Sequence, residues 1–124
     1  MVKILCVDDD PGLLRLYQDE LSEEGYQVLR AREGKEALKK FSAEKPDIVV
    51  MDIRMPEMGG IETLNAILGK NRQTPMILNT AYPQYRDNFM SWGAEAFVIK
   101  SSDLTELNQK IREVLERRKK RSKS

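Results

Sequence analysis

The chain has 124 residues with 21 basic and 20 acidic side chains, a net charge of +1, and no histidine, which excludes imidazole as base, metal ligand or phosphoryl carrier within it. That length suits one globular domain with a continuous core, and the single cysteine, Cys6, excludes an intrachain disulfide. No apolar run approaches the roughly 20 residues that span a bilayer, so a soluble, cytoplasmic protein without membrane contact is expected.

The first apolar run, over 2–8, reads as a strand and empties into Asp8, Asp9 and Asp10. Cys6 lies inside it as a small buried hydrophobe. Asp10 is the expected N-cap of the first helix, with Pro11 at its first position, Leu13, Leu14, Tyr17 and Leu21 on one face, and Gly25 as its stop. A second strand over 26–30 leads to a helix over 34–41 with Ala37, Leu38 and Phe41 inward. The third strand, over 47–52, ends in Asp52. Gly59 and Gly60 read as a turn needing positive φ. They open a helix over 60–68 with Ile61, Leu64, Ile67 and Leu68 inward. A fourth strand over 75–79 precedes a weakly patterned helix over 84–92, in which Trp92 is read as packing. The fifth strand covers 95–99. In the last helix Asp103 and Glu106 form a capping-box pattern, and Leu104, Leu107, Ile111, Val114 and Leu115 make the buried stripe.

Strands and helices alternating five times, with strands apolar throughout, predict an α/β fold on a doubly wound parallel sheet in a single domain. Residues 110–124 hold eight basic and two acidic residues and so carry +6, leaving −5 elsewhere. Basic residues at a helix C-terminus complement its macrodipole, a simpler reading than nucleic-acid contact. The domain is expected over 1–117, with 118–124 as a basic tail.

Ligands of such sheets bind beyond the C-terminal strand ends at the switch point. There the sequence places Asp8 and Asp9, Asp52, Thr80 and Lys100. Three carboxylates together repel strongly, and a hard divalent ion with oxygen ligands, Mg²⁺, resolves the repulsion. Asp52 is then the candidate nucleophile toward phosphorus, with Lys100 and the Thr80 hydroxyl meeting the charge of the transferred group. The added phosphoryl charge would draw Thr80 inward and act as a switch.

Four segments carry a family resemblance: Ile4 to Pro11 (ILCVDDDP), Met51 to Glu62 (MDIRMPEMGGIE), Asn79 to Tyr82 (NTAY) and Gly93 to Lys100 (GAEAFVIK). In this order and spacing they resemble a response-regulator receiver domain of two-component signalling, over about 2–114. The resemblance implies a flavodoxin-like sheet of strand order 2-1-3-4-5. It implies Asp52 as phosphoacceptor, an Mg²⁺ site of Asp8, Asp9, Asp52 and the Arg54 backbone carbonyl, and a phosphoryl grip from Thr80 and Lys100. Phe97 matches the aromatic that turns inward as the Thr80 loop closes, and Arg54 and Tyr82 stand where the family tunes hydrolysis. The implied donor is a histidine kinase or histidine phosphotransfer protein, the implied reader a downstream protein.

One departure stands out. The family commonly has proline after the lysine, and this chain has Ser101, so the aim of Lys100 is in question. A trans Lys100–Ser101 bond is expected, because a non-proline cis bond costs about 2.5–4 kcal/mol. Other classes fit less well. Asp8 and Asp10 form an Asp-x-Asp as in aspartate-nucleophile phosphatases, but Pro11 breaks that motif. A flavin-binding relative would not set three carboxylates against a phosphate. A degenerate receiver acting only as a scaffold is the remaining alternative, disfavoured because every expected residue type is present. No output region follows Leu115, so either a single-domain regulator or a fragment of a longer protein is expected.

Overall fold

The computed structural model describes residues 1–53 and 58–123, with side chains through residue 120. Strands β1 (Lys3–Val7), β2 (Gln27–Ala31), β3 (Ile48–Met51), β4 (Met76–Thr80) and β5 (Ala96–Ile99) alternate with helices α1 (Pro11–Glu23), α2 (Gly34–Glu44), α3 (Gly60–Lys70) and α4 (Thr105–Lys123). The five strands form one parallel sheet in the order β2-β1-β3-β4-β5. Ile48, Val49, Val50 and Met51 of β3 are all buried, as a central strand covered on both faces requires.

Each face of the sheet has its own core. On one side α1 contributes Leu14, Tyr17 and Leu21 and α4 contributes Leu107, Ile111 and Val114, packed on Ile4, Cys6, Val50, Ile77 and Val98. On the other, Ala37 and Phe41 of α2 and Leu64 and Ile67 of α3 pack on Leu5, Val49, Met51 and Leu78. The crossovers after β1 and β3 therefore leave on opposite faces. This opens a crevice between the ends of these two neighbouring strands.

Helix ends follow their local chemistry. Asp10 caps α1, its Oδ1 accepting from the N–H groups of Gly12 (2.9 Å) and Leu13 (3.3 Å). Gly25, at φ 94°, closes α1 with Gly25 N–H to Ser22 O and Tyr26 N–H to Leu21 O.

Three expectations are corrected. No α-helix forms over 84–92. Pro83–Tyr85 is a single 3₁₀ turn, and the following turns are closed by Asn88 N–H to Tyr85 O and Gly93 N–H to Met90 O. The segment has only partly buried anchors in Tyr85, Phe89 and Trp92, and carries helix-poor Asp87 and Asn88, so little favours a continuous helix. Gly59 and Gly60 do not need positive φ. Gly59 lies at φ −67°, and a Cβ on Gly60 would stand 2.2 Å from the Asp52 carbonyl oxygen, so close backbone approach demands the glycine. The capping box at α4 is not closed by Glu106. The Asp103 N–H donates to Ser101 Oγ (3.1 Å), while Asp103 Oδ1 accepts from Thr105 N–H (3.0 Å) and Oγ1–H (2.6 Å). Helix α4 continues across residue 117, and Arg118 on it bonds Glu95 at the start of β5 (2.5 Å).

Candidate functional site

The end of β1 delivers Asp8, the end of β3 delivers Asp52, and the turn into α1 delivers Asp9. Asp8 and Asp52 are buried and Asp9 is exposed. One carboxylate oxygen from each lies within 4.8 Å of those of the other two. Pairing of Val7 with Met51 sets Asp8 and Asp52 side by side, so this proximity follows from the sheet register. Oxygen donors alone, two of them buried, are the ligand set a small hard divalent cation prefers, so these residues fit Mg²⁺. Arg54, whose carbonyl the resemblance implicates, lies outside the described residues.

Lys100, just past β5, reaches into the same crevice. Its Nζ stands 2.7 Å from Asp8 Oδ2 and 2.7 Å from Asp52 Oδ2. The ammonium thus bridges two buried carboxylates that otherwise repel. Burial alone would lower the Lys100 pKa, but the hydrogen bonds and charges of Asp52 and Asp8 outweigh it and hold the ammonium protonated above its ordinary range. For Asp8 the balance is reversed. Burial pushes its carboxyl above the ordinary 3.8, the Asp52 charge adds to this, and bonds from Lys100 and the Asp10 N–H (2.9 Å) offset it in part.

Ser101 does not misdirect the lysine. Among the described residues there is no cis peptide bond, so the Lys100–Ser101 bond is trans as expected. The Ser101 hydroxyl instead holds the loop by accepting from Asp103.

Thr80 ends β4, the next strand after β3, and is fully buried. Its carbonyl accepts from the Lys100 N–H (2.8 Å), and its Oγ1 from the Tyr82 N–H (3.4 Å). Phe97 lies buried on the α2/α3 side, 5.9 Å from the Phe89 ring, with the Arg86 guanidinium 5.5 Å over its face. Trp92 packs against Tyr85 at 5.8 Å. Asp8, Asp9, Asp52 and Lys100 therefore gather at the C-terminal strand ends, Thr80 adjoins them through its backbone bond to Lys100, Phe97 lies apart in the α2/α3 core, and Arg54 is outside the described residues.

Sequence reasoning misses one polar contact nearby. Asn79 Nδ2 donates to the Tyr17 hydroxyl at 2.8 Å, both residues buried. The available signal is a lone amide inside the apolar run of β4. A cavity of about 640 Å³ lined by Val2, Tyr26, Pro75, Leu115, Arg112 and Lys119 sits at the opposite end of the sheet, away from Asp52.

Residues 4–112 match the family described as the response regulator receiver domain. Over 117 residues the chain is 34% identical to the alkaline phosphatase synthesis transcriptional regulatory protein PhoP of Bacillus subtilis, covering 93% of this chain and 49% of PhoP. The chain spans about half or less of the length of the curated relatives it matches. The response regulator TrrA of Thermotoga maritima, solved in complex with Mg²⁺-BeF, superposes with a TM-score of 0.85 at 42% identity, covering 91% of this chain and 98% of that one. TrrA solved with the histidine kinase ThkA gives 0.84 at 43% identity, covering 93% and 99%. No helix among the described residues is long and apolar enough to cross a membrane.

Proposed function

Because the chain belongs to the response regulator receiver family, we propose that it is a phosphorylation-dependent switch whose Asp52 accepts a phosphoryl group from a partner phosphohistidine. The observation that carries this reading is the buried Asp52 carboxylate, bonded by Lys100 and flanked by Asp8 and Asp9 at the sheet's switch point. The Mg²⁺-BeF complex of TrrA and its complex with ThkA support the same cofactor and the same kind of donor, a histidine kinase or a histidine phosphotransfer protein.

An Asp52 carboxylate oxygen attacks phosphorus. The O–P bond forms as the P–N bond breaks, and the imidazole leaves and takes up a proton. Lys100 carries positive charge beside the reacting oxygen and donates to the phosphoryl oxygens, and the Thr80 hydroxyl donates to another. Asp8, Asp9, Asp52 and the Arg54 carbonyl would hold Mg²⁺, which when bound neutralises charge on the phosphoryl group and on the carboxylates. The chain thus assists its own modification but acts as a regulatory phosphoacceptor rather than as an enzyme with turnover.

The acyl phosphate adds about −1.5 to −2 charges if it titrates like other protein phosphates. Lys100 then bonds a phosphoryl oxygen, and Thr80, pulled toward it, carries the loop through Tyr82. Phe97, with the Arg86 guanidinium over its ring, transmits the change to the surface read by a downstream protein. The reading places the chain in the cytoplasm and calls for no membrane or nucleic-acid partner. A scaffold-only role is not favoured, since the expected side chains are present and assembled.

The test is incubation with acetyl phosphate and Mg²⁺ followed by intact-mass measurement. A phosphorylated species in wild type, absent in Asp52→Asn and absent with EDTA, supports the switch. An unmodified wild type rejects it.

A further inference from the structure

Six polar side chains are buried in the described fold: Asp8, Asp52, Thr63, Thr74, Asn79 and Thr80. The hydroxyls of Thr63 and Thr74 donate to nearby carbonyls, of Gly59 and Asn71, and act as local caps. Asn79 is different, because its partner is Tyr17, 62 positions away on α1.

The sheet register sets where this contact lies. Val50 pairs with Ile77 and Met51 with Leu78, so one further step puts Asp52 beside Asn79. Asn79 in turn pairs with Val98, two residues before Lys100. Side chains in one row of a parallel sheet share a face, and alternate residues along a strand return to it. Asn79 therefore lies on the face of Asp8, Asp52 and Lys100, above the core that holds Tyr17, Ile77 and Val98. The Tyr17 hydroxyl is also near enough to the pocket that, after burial itself, the Asp8 charge is the next influence raising its pKa, with Lys100 opposing.

Stability alone does not account for the pair, since apolar residues of similar shape would be nearly neutral in its place. Resting on the receiver reading above, we infer that Tyr17 and Asn79 are positioning residues for phosphoryl transfer: their hydrogen bond ties helix α1, which begins at the acidic loop, to the strand end that presents Thr80. Asn79 immediately precedes Thr80, so a pinned amide fixes the backbone from which the Thr80 hydroxyl is presented. The same bond lays a polar floor under the Asp8–Lys100–Asp52 cluster and keeps Asp9 and Thr80 in register across it.

Tyr17→Phe removes one oxygen, and Asn79→Leu removes the donor at similar volume. Each is compared with wild type in three measurements: beryllofluoride affinity with Mg²⁺ by calorimetry, the saturating rate and KM for acetyl phosphate, and the urea midpoint. The expected result for each single variant is a loss of about two- to tenfold in beryllofluoride affinity and saturating rate, the span one hydrogen bond supplies, with KM for acetyl phosphate moving less. The double variant should be no worse than the poorer single one, because both lose the same bond. Wild-type affinity and rate in Tyr17→Phe, with only the urea midpoint lowered, would show a packing pair and overturn the inference, and this variant decides alone if Asn79→Leu does not fold. A wild type that neither binds beryllofluoride nor takes a phosphoryl group would reject the receiver reading itself, and this inference with it.

Discussion

Replacing Lys100 with Met removes the ammonium that bridges Asp8 and Asp52 and leaves two buried carboxylates at the ends of neighbouring strands. In the absence of divalent metal the fold can escape the repulsion by taking up a proton on the pair. That escape caps the cost. Protonating a carboxyl of ordinary pKa 3.8 at pH 7 requires about 4 kcal/mol, so repulsion within the pair costs the variant at most that much at pH 7, beside the lost attraction to the ammonium. The direction with pH follows from the shift. Asp8 already has a folded pKa above its ordinary value, and losing Lys100 raises it further, so ionised Asp8 destabilises the fold above the unfolded pKa. The penalty is relieved as pH falls through the folded value. Urea unfolding of wild type and Lys100→Met in EDTA at pH 7, 6 and 5 should show a stability gap that narrows by up to about 1.4 kcal/mol per pH unit. Mg²⁺ should then stabilise the variant more than wild type at pH 7. A gap independent of pH, or a variant indifferent to Mg²⁺, would refute the claim that Lys100 is the counter-charge of this pair.

Gly60→Ala forces a Cβ to within 2.2 Å of the Asp52 carbonyl and 2.6 Å of Ile53 Cα, and should cost about 3 kcal/mol in urea unfolding because backbone must move. Asp8→Asn should weaken Mg²⁺ binding by about ten- to a hundredfold in calorimetry, since the proposed site would lose one of its two buried carboxylates. Arg118→Ala should lower stability by about 1–2 kcal/mol, since the ion pair with Glu95 is mostly buried; an unchanged urea midpoint would make the pair a passive surface contact. Exchanging Tyr82, whose ring stands edge-on to Tyr85 at 6.3 Å two residues after Thr80, should change the decay rate of the phosphorylated form measured by mass, and an unchanged decay would refute this.

What the sequence discloses depends on how local the cause is. The first helix is legible because its cap and its stop, Asp10 and Gly25, act within a few residues of the ends they fix. The carboxylate cluster is legible for another reason: apolar runs ending in Asp8 and Asp52 become neighbours once the sheet has the order 2-1-3-4-5 that the family resemblance implies. The segment after Thr80 is misread as a helix because its aromatics suit either helix spacing or irregular packing, and contacts such as Tyr85 with Trp92 decide. Gly60 is misassigned because the constraint is a backbone from another part of the chain, invisible in local propensity. The Tyr17–Asn79 bond joins residues far apart in sequence: Tyr17 alone reads as core, and Asn79 only as a lone amide in an apolar run.

The most direct test is a crystal structure with Mg²⁺ and beryllofluoride. The account predicts beryllofluoride on an Asp52 carboxylate oxygen, the metal held by Asp8, Asp9 and Asp52, and Lys100 Nζ and Thr80 Oγ1 both bonded to fluorine. Beryllofluoride bound elsewhere, or Lys100 still bridging Asp8 and Asp52 with the metal present, would contradict it.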